Sequence, residues 1–395
     1  MFARVSTYGI VLAALLMTAC SQNETELKTA SQEPVAISFS FTSTQDNQAT
    51  TRGEFTDTKL RSTGFGVFAT VAGSEIPNLM YNQQVTYTYL ADDAENGYWS
   101  YSPTKYWPIK TVEDNGKLKT VPQTVTFCAY APYVAASGAT GITGMSANSK
   151  SPGQDYNLYL DYTLSEDLDE TVDLLWTCYQ PTELGPIEFK MYHALARVAV
   201  NVKLADSNSY KTSSTRVLIS KIELSTANAA KTGRLILDDD NTETETIDEV
   251  VYTYHYRYPT WTGQVVGPWK DPENPENLEN TTRTVEIQNT DNSKSYGIIA
   301  EEIRYIDDLP YSWQPEGLQK GVSSNALCTG DYPQAYLYFI PNEAGLTLDC
   351  KVYYTLMDEA GNKYNGCKTR TDPVVITPLR GNRTYQLNLE IDPTP

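Results

Sequence analysis

The sequence predicts an all-β protein built as two β-sandwich domains in tandem, and three observations support this prediction. Short runs of β-branched and aromatic residues recur along the chain, each bounded by Gly, Pro, Asn or Asp. Helical periodicity of any length is absent, and the best helical candidate is one or two turns around residues 165–170. The chain has 395 residues, which is more than one hydrophobic core usually serves.

The first 20 residues predict an export signal, so they are excluded from the fold. Arg4 lies in a short polar start, and the apolar run at residues 10–16 is too short to span a bilayer as a mature helix. The sequence MTAC follows directly and resembles a bacterial lipobox, in which the cysteine becomes the first mature residue and carries a lipid. We therefore expect a signal peptide at residues 1–19, lipidation of Cys20 and an outer-membrane anchor. The alternative is a plain signal peptide that leaves Cys20 an ordinary thiol.

The first strand candidate follows at residues 35–41, where apolar residues alternate with small polar ones. Polar residues 43–51 come next, and then Arg52 and Gly53. A strand on a polar, cleavable tether predicts a propeptide at residues 20–52 that a protease removes after Arg52. The alternative is that Arg52 is a solvated loop arginine like Arg61. The apolar positions of this provisional strand are Val35, Ile37, Phe39 and Phe41.

The N-terminal β-sandwich domain is predicted to cover residues 53–185. Its strand candidates are short, carry β-branched or aromatic residues and stand between turn signals. They lie at residues 64–71, 80–89, 98–101, 105–108, 125–133 and 172–177. The run QPTELGP at residues 180–186 is rich in residues that break secondary structure, so it marks the domain boundary.

The C-terminal β-sandwich domain is predicted to cover residues 186–395. A polar stretch at residues 238–280 interrupts its strand series, and the acidic residues Asp238 to Asp240, Glu243 and Glu245 predict a solvated loop. This loop lacks the alternating ligands and the glycine of a calcium loop, so we expect no metal site. The strand candidates lie at residues 189–204, 217–224, 233–237, 284–287, 336–340, 346–356, 374–376 and 385–391.

Tyrosines are frequent within the polar stretch, where four of them share one alternating face near Trp261. They are Tyr252, Tyr254, Tyr256 and Tyr258. Aromatic faces suit sugars, so these residues are candidates for a glycan-stacking platform. Tyrosines more often simply fit strands and sandwich edges, which is the favoured interpretation.

The six cysteines leave five after lipidation of Cys20, and five cannot all pair within one chain. Cys350 falls on the apolar face of a predicted strand, so we expect it in the core. The spacing shows no CxxC pair, which argues against a zinc site. The pairing stays open among Cys128, Cys178, Cys328, Cys350 and Cys367.

The charge balance excludes some functions. The formal net charge is −19, which would repel phosphate backbones, so nucleic-acid binding is disfavoured. Only two histidines are present, His193 and His255, so a Ser-His-Asp or Cys-His arrangement would depend on one of them. Paired carboxylates remain an option for such an acidic chain. We expect no enzyme activity and no cofactor.

Several sequence strings, taken in order, resemble the fimbrillin family, the type V pilins of anaerobic gut and oral bacteria. The strings are FGVFA at 65–69, YWSYSPTKYWP at 98–108, FCAYAP at 127–132, VDLL at 172–175 read with 189–200, and residues 381–389. The resemblance implies two transthyretin-like β-sandwich domains, lipoprotein export to the outer membrane and cell surface, and polymerisation with other pilin subunits by strand exchange after the first strand is removed. It also implies a role in adhesion to a glycan or protein ligand.

The last strand candidate repeats the pattern of the first, with Tyr385, Leu387, Leu389 and Ile391 on one face. In the family, shaft subunits often carry a further strand that is donated to a neighbour, and only residues 392–395 follow here. Either the last strand is itself donated, or the subunit accepts a strand and donates none, as a tip or accessory subunit would. We favour the second expectation. The alternative to any pilin is a non-polymerising surface lipoprotein that binds glycans for nutrient capture.

Overall fold

The computed structural model describes residues 34–42, 57–135 without 92, 141–147, 158–204 without 168–169, 216–247, 252–288 without 272 and 275, 299–300, and 337–393 without 358, 359 and 361. The chain divides into the units Met1–Pro34 and Val35–Pro395, and the second contains the fold. Its described residues confirm the all-β class, with one short helix, α1 (Asp57–Thr63). No described helix is long and apolar enough to cross a membrane.

The strands found in these residues are, in chain order, β1 (Phe39–Thr42), β2 (Phe65–Val71), β3 (Met80–Leu90), β4 (Asp93–Ser100), β5 (Ile109–Asp114), β6 (Lys117–Pro122), β7 (Val125–Ala131), β8 (Ile142–Ala147), β9 (Leu158–Thr163), β10 (Leu175–Tyr179), β11 (Ile187–Lys190), β12 (Tyr192–His193), β13 (Ala196–Leu204), β14 (Arg216–Thr226), β15 (Ala230–Ile247), β16 (Tyr252–Val266), β17 (Arg283–Gln288), β18 (Ile299–Ala300), β19 (Leu337–Phe339), β20 (Leu346–Met357), β21 (Lys363–Thr369), β22 (Val374–Ile376) and β23 (Thr384–Ile391).

A six-stranded antiparallel sheet with the order β12-β10-β7-β2-β3-β4 dominates the first half of the chain. Its central strand β7 is buried on both faces, so successive side chains enter two different cores. Phe127 and Ala129 enter what we call the first-strand core, whereas Cys128 and Tyr130 enter the main core. The first-strand core consists of Ile37, Phe39, Leu60, Phe65, Val67, Ala69, Met80, Val85, Trp107, Val125, Phe127, Ala129, Ala131, Leu175, Ile187, Phe189 and Met191. The main core is the larger cluster that includes Phe68, Trp176, Tyr338, Leu348 and Leu389.

The remaining sheets carry most of the second half of the chain. One has the order β16-β15-β9-β8, one places β23, β18 and β19 against β13, and one has the order β17-β14-β20-β21 with β22 also on β20. Strand β9 lies before the predicted boundary at residues 185/186 and β15 lies after it, and the two strands pair antiparallel. The two domain ranges stay a prediction.

One expectation about secondary structure is corrected. The expected acidic loop at 238–245 is wrong, because this segment continues β15, which pairs with the tyrosine-bearing β16 from Asn241 to Ile247. The helical candidate at residues 165–170 lies partly outside the described residues, and next to it the amide of Thr171 donates to the carbonyl of Asp167 at 3.1 Å. The helix in the described chain is α1, whose seven residues are too few to show a periodicity.

Candidate functional site

The first strand lies in a groove between two parts of the chain. On one side β1 pairs in parallel with β11, in the register Phe39↔Ile187 to Thr42↔Lys190. On the other side Ala36 forms an antiparallel bridge with Tyr106. We call the surface that residues 35–42 cover, formed by β11, residues 105–107 and the first-strand core, the first-strand groove.

Three backbone hydrogen bonds outside the β1–β11 ladder hold the strand in this groove. The amide of Ile37 donates to the carbonyl of Lys105 at 2.9 Å, and the amide of Trp107 donates to the carbonyl of Val35 at 2.9 Å. The amide of Ile187 donates to the carbonyl of Ser38 at 2.8 Å. Because the strand is bonded on both edges, its removal would leave two unpaired edges facing each other.

The floor of the groove is aromatic. The ring of Phe39 stacks on Phe189 with centroids 5.4 Å apart and meets Phe65 and Phe127 edge to face at 6.2 and 6.1 Å. Tyr101 tilts against it at 5.3 Å. Phe39 is therefore the side chain with the most ring contacts in the strand, and edge-to-face or stacked pairs of this kind add to the free energy of its burial.

The four apolar positions of the first strand are not equivalent. Ile37 and Phe39 are 2% and 6% exposed, and Phe41 packs against the same core while partly buried. Val35 departs from the expected inward pattern, because 37% of it stays exposed where the strand enters the groove. Burial of the strand thus depends on three side chains.

Tyr101 joins the first strand to the groove wall through its hydroxyl. The hydroxyl donates to the carbonyl of Ile37 at 2.8 Å and accepts from the amide of Lys105 at 3.2 Å. Burial raises the pKa of Tyr101 above its ordinary value, against the hydrogen bond with the backbone at Lys105. The neutral hydroxyl is therefore the form that fits the groove.

The candidate donor strand is an integral edge of its own sheet. Strand β23 pairs in parallel with β13 over eight residues, from Arg197↔Thr384 to Leu204↔Ile391, and with no other described strand. Leu387, Leu389 and Ile391 are 5%, 2% and 4% exposed, and Tyr385 packs against the same main core. Its alternation confirms the expected strand. Whether it is donated stays a prediction.

The structure resolves part of the cysteine question. A disulfide joins Cys128 of β7 to Cys178 of β10, which face each other in the antiparallel register. Cys350 is a free thiol in the main core, as expected, and burial raises its pKa to about 11. Cys367 is free and exposed. Cys328 lies outside the described residues, as do Cys20, Arg52 and Gly53.

Among the described side chains, His193 lies against a buried carboxylate. Nδ1 of His193 lies 2.6 Å from Oδ2 of Asp173, a fully buried carboxylate that the sequence did not single out. The backbone amide of His193 donates to the side chain of Asn382 at 3.3 Å. The side chain of His255 lies outside the described part. The described side chains also hold no group of three or more His, Cys, Asp or Glu that could bind a metal ion.

Trp261, the tryptophan near the candidate tyrosine platform, is buried. Trp261 is only 8% exposed, and its indole N–H donates to the carbonyl of Ala194 at 2.9 Å, so it belongs to the main core. Tyr258 is half-buried, with the guanidinium of Arg380 over its ring at 4.7 Å. The side chains of Tyr252, Tyr254 and Tyr256 lie outside the described part.

The sequence alone does not identify the side chains that line the first-strand groove. Phe65, Phe127, Phe189 and Tyr101 all occur in strings that resemble the fimbrillin family, yet the strings do not indicate which face of each strand meets the first strand. A strand pattern assigns a residue to a face and leaves its partner strand open.

Comparison with known proteins identifies the family. A family model described as fimbrillin-like matches residues 51–394. The chain belongs to the fimbrillin-like family. A crystal structure of a fimbrial protein from Bacteroides vulgatus ATCC 8482 is 20% identical, covers 90% of this chain and 95% of its own, and superposes with a TM-score of 0.50, so the two share a fold. A fimbrilin from Porphyromonas gingivalis W83 is 10% identical over 90% of each chain, with a TM-score of 0.34. A comparison with curated protein sequences gives no match.

Proposed function

We propose that this fimbrillin-like chain is a structural subunit of a cell-surface fimbria, as a shaft, tip or accessory subunit, with a role in adhesion. Membership of the family supports a fimbrial or adhesion-type surface protein and favours a structural role over catalysis. In the proposal the chain is exported as a lipoprotein through Cys20, cut between Arg52 and Gly53, and joined to other pilin subunits by strand exchange. Its fold is proposed to be two transthyretin-like sandwiches, at residues 53–185 and 186–395.

The first-strand groove is the observation that carries this proposal. A cut after Arg52 would free residues 35–42, because only the groove contacts would then hold them. Ile37 and Phe39 contribute about 1.5–3 kcal/mol each by burial, and the partly buried Phe41 contributes less. A replacement strand of similar size could recover this amount. The vacated edges of β11 and residues 105–107 would present unpaired amides and carbonyls, which is the geometry that favours strand addition.

Addition of a strand from another subunit would produce a filament. Where donor and acceptor are different surfaces of one subunit, as in a shaft subunit, the contact is heterologous and propagates instead of closing. The uncut chain fills its own groove, so we expect it to stay monomeric. Processing then controls when assembly begins.

The packing of β23 supports an accepting role without donation. Withdrawal of β23 would expose Leu387, Leu389 and Ile391, and would also break eight residues of pairing with β13. Insertion into a neighbour's groove would recover burial for the strand while leaving the main core of its own subunit open. A tip or accessory subunit, which receives a strand, requires no such opening.

The decisive experiment compares Arg52→Ala with Arg52→Lys in cells that make fimbriae. We expect N-terminal sequencing of surface-purified wild-type protein to begin at Gly53, and negative-stain images to show this subunit incorporated. Arg52→Ala should retain residue 21 near its start and stay out of filaments. Arg52→Lys keeps the charge, so a failure of this variant to be cut would assign the processing to an arginine-specific protease. Normal incorporation of Arg52→Ala would rule out the processing step.

The glycan-capture alternative predicts a different result. A non-polymerising surface lipoprotein would bind glycans equally well as the wild type and as the Arg52→Ala variant, and would form no filaments at any stage. A glycan array on the uncut and cut chains tests it, since binding above background in both, without filaments, would favour capture over assembly.

A further inference from the structure

Strands β5 and β6 form a hairpin that stands apart from every sheet of the described chain. The two strands pair antiparallel from Ile109↔Pro122 to Asp114↔Lys117. Asn115 and Gly116 connect them with φ values of 53° and 76°, which is the turn that best fits the twist of a two-residue hairpin. The ribbon therefore has a defined shape.

Both faces of this hairpin are open to solvent. Leu118 is 76% exposed and Ile109 is 54% exposed, and they lie on the same face because cross-strand partners share a face. The opposite face carries Lys110, Lys117 and Lys119 together with Asp114, Val112 and Val121. An isolated two-stranded hairpin is marginally stable in water, so exposed apolar residues on a well-defined ribbon indicate a surface that another molecule covers.

The charge of the hairpin differs in sign from that of the whole protein. Three lysines and two acidic residues give residues 109–122 a net charge of +1, in a chain whose formal net charge is −19. A basic ribbon on a strongly acidic subunit is complementary to the surface of a second copy of the same subunit.

The hairpin is also continuous with the first-strand groove. Residues 105–107, which bond to the first strand, lead directly into β5. At the base of the ribbon the amide of Gln123 donates to the carbonyl of Pro108 at 2.8 Å. A subunit whose strand entered the groove would therefore lie next to the hairpin.

We propose that the β5–β6 hairpin is a second docking surface, which contacts the acidic surface of a neighbouring copy of this chain during assembly. This inference rests on the proposed function. The lysine face attracts and orients the incoming copy, and the face with Ile109 and Leu118 packs against it after docking. Strand exchange is slow to find its register, so a pre-docking contact raises its rate.

The test changes the lysine face and measures assembly. The protein is the mature chain cut after Arg52, and light scattering follows its association at several salt concentrations. The triple variant Lys110→Glu, Lys117→Glu, Lys119→Glu should associate about tenfold more slowly than wild type at low salt. The rates should converge near 1 M salt, where the screening length falls to about 3 Å.

A matched control has the same charge change at other exposed lysines, Lys270→Glu, Lys363→Glu and Lys368→Glu. It should slow association much less than the hairpin variant. A separate variant, Leu118→Ser, should raise the dissociation rate about equally at all salt concentrations, without lowering the unfolding temperature.

The outcomes separate this inference from the proposed function. Equal slowing of association in both triple variants would mean a general charge effect. No slowing in either would mean that the hairpin takes no part in association. Each result overturns the proposed docking surface. If cut wild-type protein fails to associate at every salt concentration, this inference fails because two copies do not dock, whereas the proposed strand exchange is tested separately by incorporation of the Arg52 variants into fimbriae.

Discussion

Phe39→Ala should loosen the first strand without unfolding the protein. The Phe39 side chain is 6% exposed and contacts four aromatic rings, so its truncation removes well-packed core volume. Substitutions of this kind cost about 3–5 kcal/mol. Here the loss falls on retention of residues 35–42, which depends on two buried side chains and one that is partly buried. The population with the strand out should rise by roughly 10²–10⁴-fold.

Hydrogen exchange measures this opening at the groove itself. The amides of Ile37, Trp107 and Ile187 are bonded across the two edges of the strand, so all three should lose protection together. Amides of β14 and β20, which lie in another sheet, should keep theirs. The rate at which an arginine-specific protease releases residues 35–42 provides an independent readout, since residues 43–56 join the strand to the domain.

Val35→Ala is the matched control in the same strand. Because Val35 is 37% exposed and sits where the strand enters the groove, its truncation should cost less than about 1 kcal/mol and leave exchange almost unchanged. Two results would refute the reasoning. One is Phe39→Ala with unchanged protection at the three groove amides. The other is equal loss of protection in β14 and β20, which would mean that the strand is part of a single cooperative unit.

Three further outcomes are expected. Because the pKa of Tyr101 is raised in the folded protein, its stabilising neutral form persists up to the unfolded-state pKa near pH 10 and is lost as pH rises through the folded-state pKa. Hydrogen exchange of the first-strand amides should therefore accelerate above about pH 10 in wild type. The acceleration should be much smaller in Tyr101→Phe. A thiol reagent at pH 8 should modify Cys367 in the native protein, whereas Cys350, buried and with a pKa of about 11, should react only on unfolding, as mass spectrometry of labelled peptides would reveal. Gly66→Ala should lower the free energy of unfolding by about 1–3 kcal/mol in denaturant titrations, because the new Cβ would overlap a tyrosine ring on β7. Gly144→Ala is the control and should be close to neutral, because the nearest atom to its new Cβ is 3.4 Å away.

The sequence predicts the fold class well where one face of a strand is buried. In β20 the residues Leu346, Leu348 and Cys350 alternate with polar neighbours, and the structure buries all three. The same rule placed Ile37 and Phe39 in a core. Such patterns work because a period of two assigns each side chain to a face.

The rule fails where both faces of a strand are exposed, and it does not identify which strands pair with each other. Strand β15 continues into an acidic segment that has no apolar alternation, so composition alone indicates a loop. The disulfide between Cys128 and Cys178 requires β7 and β10 to be neighbours, which depends on long-range pairing. The parallel pairing of the first strand with β11 is of the same kind, since about 145 residues separate the two strands.

The two strands with matching patterns, β1 and β23, differ in how much each would lose on leaving. Strand β1 has four residues, and the side chains it buries are those of one short segment, which a cut after Arg52 would disconnect from the chain. Strand β23 has eight residues, all paired with β13, and three of its side chains are buried in the main core. Removal of β1 leaves a groove that a strand of the same pattern can fill, whereas removal of β23 opens the core of the subunit that donates it. This contrast supports the proposed subunit that gives up its first strand and accepts another, and in that proposal a donated strand comes from a chain that does not open its own core.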